Sequence, residues 1–298
     1  MILTEENVRR LLHMEEVIPT MESALRDFSA GTVVQPVRIM VPVAESGGFL
    51  GVMPAYAGAL GVKLVSFFPR NQGIPTHLAT ILLFNPRTGE QLVNMDGRLI
   101  TEMRTAAVSA VATKYLANPE ASILAIIGSG VQARSHLHAL RLVRDFREVR
   151  VWSPRHARAF AEEFGVMAAS SAEDAVRGAH VVVTVTSSPS PVLSADWLSP
   201  GVHINAIGAC VPDWREIDDD TLRRARIIVD SRDAALKESG DVRAAGRIDA
   251  ELGEVVAGTA PGRSSPDDIT LFKSLGLAVE DVRTADLVYR RAIAPPSQ

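Results

Sequence analysis

The pattern of hydrophobic residues differs between the two parts of the chain, and it predicts a different architecture for each. In the first part, Thr4 can cap a helix. Apolar residues then recur at three- and four-residue steps at Val17, Met21 and Leu25, which is typical of a helix. From Val37 the period changes to two, which predicts strands, and residues 85–90 have the composition of a hairpin turn. We therefore predict a mixed α+β domain, with a mostly antiparallel sheet, over residues 1–118.

The second part instead contains short, uninterrupted apolar runs, which are typical of strands buried on both faces of a parallel sheet. These runs are 123–127, 181–185, 202–207 and 227–229. They predict an α/β, Rossmann-type dinucleotide-binding domain over residues 119–269. An apolar helical pattern beginning at Leu277 is expected to return to the first domain, so that residues 270–298 complete it.

The turn after the first of these runs carries the pattern G-x-G-x-x-A, formed by Gly128, Gly130 and Ala133. The first glycine permits a tight turn, the second lets the backbone approach a pyrophosphate, and the alanine keeps the helix close to its strand. This G-x-G-x-x-A pattern alone is weak evidence, but the strand before it and the helix after it favour a dinucleotide site. The residues predicted to contact the cofactor here are Gly128, Ser129, Gly130, Val131, Gln132 and Ala133.

The end of the next strand, at Trp152, bears on which dinucleotide is bound. NAD-specific sites usually place an acid here to accept a hydrogen bond from the ribose 2′-hydroxyl. This chain has Ser153, Arg155 and Arg158 here, and no acid lies between Trp152 and Glu162. A hydroxyl and guanidiniums suit a 2′-phosphate, so we predict NADPH, with Ser153 and Arg155 as contacts. The alternative is that these arginines only solvate the start of a helix.

Other predicted strands end in small or polar residues. Because ligands of such sheets bind beyond the carboxyl ends of the strands, Thr186, Ser187 and Gly208 are further candidates to contact the cofactor. Asp230 is a candidate on the same topological ground.

Composition and charge exclude several classes of function. The chain has 298 residues, of which 47% are hydrophobic, and a net charge of −4, so no basic stripe is available for nucleic acid. It shows neither a signal-peptide pattern nor an apolar run long enough to span a membrane, and Cys210 is its single cysteine. We therefore expect a cytoplasmic protein. His136 and His138 would point in different directions on a helix, and no metal site is predicted.

Three cations interrupt apolar or small-residue surroundings in the first domain. Lys63 and Arg38 lie in predicted strands, and Arg104 lies near the start of a helix rich in small residues. Burying a charge without a partner is costly, so the three together suggest an anion site, such as one for a substrate carboxylate. For Lys63 the alternative is a side chain that reaches from a strand end to water.

Several long blocks resemble the ornithine cyclodeaminase/mu-crystallin family, and most closely its mu-crystallin branch of NADPH-dependent ketimine reductases. The resemblance extends over essentially the whole chain. The blocks are 35–38, 49–56, 100–110, 203–209, 212–216, 234–241, 251–255 and 272–276.

This resemblance implies a homodimer in which the first domain provides the substrate and dimerisation region. It implies that Arg38, Lys63 and Arg104 bind the substrate carboxylate, with Thr80 beside them, and that Lys63 and Arg104 take part in catalysis. His77 is included among the side chains expected to line the substrate pocket.

One departure from the family pattern concerns Cys210. The cyclodeaminase branch has an aspartate there, and amine oxidation needs such a base, whereas imine reduction does not. Asp213, three residues further on, is the alternative candidate for an acid/base. The predicted function is NADPH-dependent reduction of cyclic ketimines or 2-imino carboxylates to amino acids. The alternatives are an NAD-dependent ornithine cyclodeaminase or alanine-dehydrogenase-like enzyme, and a non-catalytic NADPH-binding protein.

Overall fold

A computed structural model describes residues 1–294. The chain divides into two compact units: a first unit of Met1–Arg104 together with the segment from Gly276 onward, and a second unit of Thr105–Leu275. The sequence-based limits at 118/119 and 269/270 remain predictions about domain organisation. Within the described residues, no helix combines the length and the apolarity that crossing a membrane requires.

The strands, in chain order, are β1 (Ile2–Leu3), β2 (Ile39–Val43), β3 (Gly48–Tyr56), β4 (Leu60–Phe67), β5 (His77–Phe84), β6 (Gln91–Asp96), β7 (Ile123–Ile127), β8 (Glu148–Trp152), β9 (Met167–Ala168), β10 (Val181–Thr184), β11 (His203–Ala206), β12 (Arg226–Val229), β13 (Ala250–Glu251) and β14 (Thr270–Lys273).

The helices are α1 (Glu5–Leu11), α2 (Met14–Ser29), α3 (Arg98–Leu116), α4 (Val131–Arg141), α5 (Ala157–Phe164), α6 (Ala172–Val176), α7 (Asp219–Arg224), α8 (Arg232–Glu238), α9 (Gly240–Ala245), α10 (Leu252–Val256) and α11 (Ala278–Ile293), with a short 3₁₀ turn at Ala195–Trp197.

The first unit is built on a six-stranded sheet in the order β1-β6-β5-β4-β3-β2. Neighbouring strands from β2 to β6 are antiparallel, as the period of two predicted, whereas β1 runs parallel to β6. The last helix, α11, packs on β3, β4 and β5 and also against α2. One face of the sheet is therefore covered, and Met53, Ile81 and Leu83 are buried there.

The start of this unit contains two helices separated by a break. Thr4 caps α1, and its side chain and that of Asn7 exchange hydrogen bonds with each other's backbone N–H groups, as a capping box requires. The helix then stops because Leu12 adopts an extended conformation, and α2 begins at Met14 after His13 in the N-cap position. The Leu11 carbonyl, which the break leaves without a helical partner, accepts a hydrogen bond from Arg291 Nη1 at 2.6 Å.

The second unit contains an eight-stranded sheet in the order β13-β12-β14-β11-β10-β7-β8-β9, and every pairing in it is parallel. The chain moves outward from β7 through β8 to β9, then returns to place β10 on the other side of β7. The strand order therefore reverses between β7 and β10, which is where dinucleotides bind in such sheets. The predicted α/β architecture with a mixed first unit is confirmed.

Candidate active site

The predicted glycine motif connects β7 to α4 in the second unit. Gly128 is buried with a φ of +123°, and a Cβ there would lie 2.6 Å from the Val185 carbonyl oxygen, so only glycine fits without strain. Gly130 is exposed, and a Cβ there would meet nothing within 4 Å. Ala133 is fully buried in the first turn of α4. The turn is thus tight at its first glycine and open at its second.

The N-terminus of α4 begins immediately after Gly130, and no described side chain caps it. The backbone N–H groups of its first turn can therefore serve an anion. Together with the space beside Gly130, this arrangement fits the pyrophosphate of a dinucleotide.

The carboxyl ends of four neighbouring strands lie along one edge of the sheet. Gly128, Ser153, Thr186 and Gly208 follow β7, β8, β10 and β11, so the register brings these predicted cofactor residues to the same edge. The Ser129 and Ser153 hydroxyls are 2.8 Å apart, which joins the first two loops. Ser187 lies exposed beside Thr186.

The loop after β8 is the predicted determinant of cofactor choice. Ser153 Oγ accepts a hydrogen bond from the His156 backbone N–H at 3.1 Å, which closes the loop before α5. The side chains of Arg155 and Arg158 are exposed, and Arg155 follows the strand end by three residues. The loop therefore presents a hydroxyl and positive charge at the place where an NAD-specific site carries an acid.

A fully buried glutamate beneath these loops was missed by the sequence prediction. The carboxylate of Glu216 accepts hydrogen bonds from the Thr184 hydroxyl at 2.8 Å, from the Thr186 N–H at 2.8 Å and hydroxyl at 2.6 Å, and from the Gly208 N–H at 2.7 Å. A Cβ at Gly208 would collide with the Thr186 carbonyl and with Glu216. Glu216 therefore ties together the two loops that follow β10 and β11.

Glu216 is itself held by a second buried acid. Asp241 Oδ1 accepts hydrogen bonds from the backbone N–H groups of Glu216 and Ile217, each at 3.1 Å. Its other oxygen lies 3.3 Å from the ammonium of Lys273, which is fully buried. Burial alone would lower the pKa of Lys273, but Asp241, the nearby Cys210 and Glu216 raise it above its usual value. Glu216, Asp241 and Lys273 stood inside the family-like blocks of the sequence without an assigned role.

Two other residues near this edge have clear local roles. The fully buried carboxylate of Asp230 accepts hydrogen bonds from the Ser231 N–H at 2.8 Å and the Leu275 N–H at 2.5 Å, and its candidate place in the cofactor cleft stays a prediction. Asp230 therefore joins the ends of β12 and β14. The thiol of Cys210 lies 3.1 Å from the Ile207 carbonyl oxygen, in the loop that follows β11.

The three predicted cations all lie in the first unit, and two of them are buried. Lys63 is 2% exposed in the middle of β4, and Arg104 is 5% exposed in α3. Arg38 is half-buried just ahead of β2 and donates from Nη2 to the Gly276 carbonyl at 3.0 Å. Gly276 has a φ of +83°, and a Cβ there would collide with the Arg104 guanidinium, so Arg38 and Arg104 approach the same glycine.

Two fully buried carboxylates of α11 meet these cations, and the sequence prediction missed both. Asp281 lies 2.6 Å from the Lys63 ammonium and accepts a hydrogen bond from Arg104 Nε at 2.9 Å. Glu280 accepts from Arg104 Nη1 at 2.7 Å. Acids in the first turn of a helix usually interact with the helix dipole at the surface, so the pattern alone did not predict burial. Their buried partners explain how the cations are stabilised.

The remaining predicted substrate residues fall on different faces of the sheet. Phe67 pairs with His77, and Lys63 pairs with Ile81, so His77 and Lys63 share one face. Thr80 pairs with Leu64 and therefore lies on the opposite face, where its hydroxyl is 3.4 Å from the Asn94 side chain. Thr80 therefore does not share a sheet face with Lys63, because side chains alternate along a strand, and its role beside the substrate stays a prediction.

The electrostatics of this cluster change the ionisation of Lys63 and His77. Burial lowers the pKa of Lys63 to about 8; Asp281 opposes that effect, whereas the charges of Arg104 and Arg38 add to it. Desolvation of the imidazole by neighbouring groups lowers the pKa of His77, and the positive charge of Lys63 lowers it further to a smaller extent. Near pH 7, Lys63 can therefore be charged and still release a proton at modest cost.

No group of three or more His, Cys, Asp or Glu side chains within residues 1–294 is arranged to hold a metal ion. What the chain offers instead is a dinucleotide edge in the second unit and a cluster of paired cations in the first.

The sequence profile of the ornithine cyclodeaminase/mu-crystallin family matches residues 1–295. The chain belongs to the ornithine cyclodeaminase/mu-crystallin family. The ketimine reductase mu-crystallin of Rattus norvegicus is 50% identical to it over 288 residues, which cover 92% of this chain and 91% of the rat protein. The resemblance predicted from the sequence blocks is therefore confirmed.

Solved structures of family relatives match the full fold. Δ1-Pyrroline-2-carboxylate reductase of Thermococcus litoralis, in complex with NADH and L-proline, superposes with a TM-score of 0.94 at 39% identity, covering 98% of this chain and 97% of that one. An archaeal alanine dehydrogenase dimer with bound NAD has the same TM-score at 38% identity, covering 98% and 96%. The ornithine cyclodeaminase/mu-crystallin fold thus accounts for both units.

Proposed function

We propose that the chain is an NAD(P)H-dependent ketimine reductase that reduces cyclic 2-imino carboxylates to the corresponding amino acids. The observation that carries the proposal is the convergence of Arg38, Lys63 and Arg104 from three separate elements of the first unit. Membership of the family and the relatives named as ketimine and pyrroline-2-carboxylate reductases support the same reaction.

The charges of the cluster fit a monoanionic group. Lys63 and Arg104 pair with the two carboxylates of Glu280 and Asp281, so Arg38 adds one positive charge in surplus when Lys63 is protonated. We propose that Arg38 and Arg104 bind the substrate carboxylate, since guanidinium groups match its geometry. His77, on the same sheet face as Lys63, completes this side of the site.

Reduction of an imine adds a hydride to carbon and a proton to nitrogen. The reduced nicotinamide, when bound, supplies the hydride. Lys63 is the proposed source or relay of the proton, because its pKa of about 8 lets it hold a proton at neutral pH and release it readily.

NADPH is the proposed form of the cofactor. Ser153 and Arg155 follow β8 in the place of the acid that would bind a 2′-hydroxyl, and a 2′-phosphate would gain charge-assisted hydrogen bonds there. The dinucleotide itself is supported by the open turn at Gly130 and the uncapped start of α4.

A homodimer is proposed through the face of the first sheet that α11 does not cover. Ile39, Val41, Leu50 and Leu78 share that face and are exposed by 58%, 48%, 40% and 39%. Exposed apolar patches of this kind commonly mark interfaces, and the archaeal relative is described as a dimer. Leu50→Lys should shift the protein from dimer to monomer in analytical ultracentrifugation, whereas an unchanged dimer would place the interface elsewhere.

The reaction is tested by following NADPH absorbance when five- and six-membered cyclic ketimine carboxylates are added. We expect NADPH to be consumed and the cyclic amino acid to form. Binding of the ketimine without loss of NADPH would instead indicate a binding protein, and ammonia release from ornithine with NAD would indicate a cyclodeaminase.

A further inference from the structure

The adjacent acids Glu280 and Asp281 stand out because both are completely buried at the start of α11. A carboxylate is rarely buried unless a cation or several donors compensate its desolvation. These two acids do not perform the same task, since their partners differ.

Asp281 contacts two cations from two different elements. One oxygen lies 2.6 Å from Lys63 Nζ on β4, and the other accepts from Arg104 Nε on α3 at 2.9 Å. Glu280 contacts Arg104 at Nη1, at 2.7 Å. The guanidinium is therefore oriented by both acids, whereas the Lys63 ammonium is held by Asp281.

We propose that Asp281 is a positioning residue that holds the Lys63 ammonium and the Arg104 guanidinium in a fixed relation and keeps Lys63 charged for the reaction. This inference rests on the proposed reductase function, in which Lys63 supplies or relays the proton. Asp281 acts through these two cations rather than on the substrate.

Among the charged groups around Lys63, Asp281 is the one that favours the protonated form of the lysine. Arg104 faces it from α3, Arg38 from the segment before β2, and His77 from β5. The neighbouring strand β3 brings no side chain that is charged near neutral pH. Burial and the two arginines all disfavour the ammonium, and Asp281 opposes them, so that the pKa of Lys63 is about 8.

Removing the negative charge should therefore lower the pKa of Lys63. An opposite charge at this range typically changes a pKa by about one to three units. In Asp281→Asn, which keeps the shape of the side chain, we expect the alkaline limb of the pH profile of kcat/KM to move down by about one pH unit or more. A loss of packing alone would lower activity at every pH and leave the limb in place.

Glu280→Gln is the matched control, because Glu280 neighbours Asp281 and bonds to Arg104 rather than Lys63. We expect it to raise KM without moving the limb. Each profile uses one ketimine substrate, so that the substrate's own ionisation is common to all variants. NADPH binding and thermal melting verify the fold, and Asp281→Ser replaces Asp281→Asn if the latter does not fold.

An unmoved limb in the charge-removing variant would overturn the proposal. To separate this failure from failure of the reductase function, the lysine side chains are also titrated by NMR with labelled lysine. We expect a signal that titrates near pH 8, is lost in Lys63→Met and moves to lower pH in Asp281→Asn. That result holds even if no ketimine is reduced, and a signal unmoved by Asp281→Asn would refute the inference directly.

Discussion

Each unit contains buried acids, but the acids of the two units are compensated by different kinds of partner. Glu216, in the second unit, is satisfied by neutral N–H and O–H groups at the ends of two parallel strands. Asp281, in the first unit, is compensated by the full charges of Lys63 and Arg104. A carboxylate bound by neutral donors holds backbone segments in place. A carboxylate bound by cations also changes the pKa values of those cations.

The largest effect on activity is expected in the cluster of the first unit, where buried acids and cations neutralise one another. Arg104→Ala removes a guanidinium bound by both Glu280 and Asp281, and a charge-assisted pair is worth about 1.5–3 kcal/mol. With the substrate carboxylate also losing its partner, kcat/KM should fall on the order of 100-fold or more. Steady-state kinetics check this. NADPH affinity, measured by fluorescence titration, should not change, and wild-type kinetics would remove Arg104 from the site.

Replacing Glu216 tests the buried carboxylate that is bound by neutral donors in the second unit. In Glu216→Gln an amide NH₂ replaces one carboxylate oxygen, so at least one backbone N–H of the two loops loses its acceptor. We expect a loss of about 3 kcal/mol in the free energy of unfolding, measured with urea, and weaker NADPH binding. Glu163→Gln, at an exposed pair with Arg134, should change stability by about 0.5 kcal/mol or less. Equal effects of both substitutions would contradict the proposed role of Glu216.

The second unit should also be sensitive to acid. Burial lowers the pKa of His136 to about 4, and burial together with Arg263 lowers that of His203 to about 3. His136 Nδ1 is 2.7 Å from the Gln132 carbonyl, which can only accept, so Nε2 accepts from Ser109. In the folded state both histidines therefore stay neutral at pH values above about 4.

Below the usual histidine pKa of 6.5, the unfolded chain takes up protons that the folded unit does not, so stability falls as the pH falls towards 4. At pH 5 each histidine should cost about 2 kcal/mol relative to pH 7. The three tryptophans, Trp152, Trp197 and Trp214, all lie in the second unit and report its unfolding by fluorescence. His203→Gln should reduce the difference between the two pH values; an unchanged difference would exclude His203 as a source.

The smallest effect is expected at the exposed cofactor loop. Arg155→Ala should weaken NADPH binding about tenfold, the value of one partly solvated phosphate contact, and leave NADH binding unchanged. Arg158→Ala tests the second arginine, which lies in the first turn of α5. An equal loss for both cofactors would show that Arg155 does not contact the 2′-phosphate.

Much of the second unit could be predicted because its determinants are local. The strand, turn and helix around Gly128–Ala133 lie within about twenty residues, and parallel-strand topology then brings Ser153, Thr186 and Gly208 to the same edge. Glu216 was not predictable in the same way, because its role depends on hydrogen bonds to Thr184 and Thr186, which precede it by 32 and 30 residues.

By itself, the sequence determined the two hydrophobic periods, the glycine turn and the presence of cations that needed partners. Only the tertiary structure decided which partners those were, because Asp281 reaches Lys63 and Arg104 from the far end of the chain. It also decided that Thr80 and Lys63 lie on opposite faces of the sheet, since strand register, not residue type, assigns a side chain to a face. Burial cost is a property of one residue, whereas its compensation requires two residues brought together by folding.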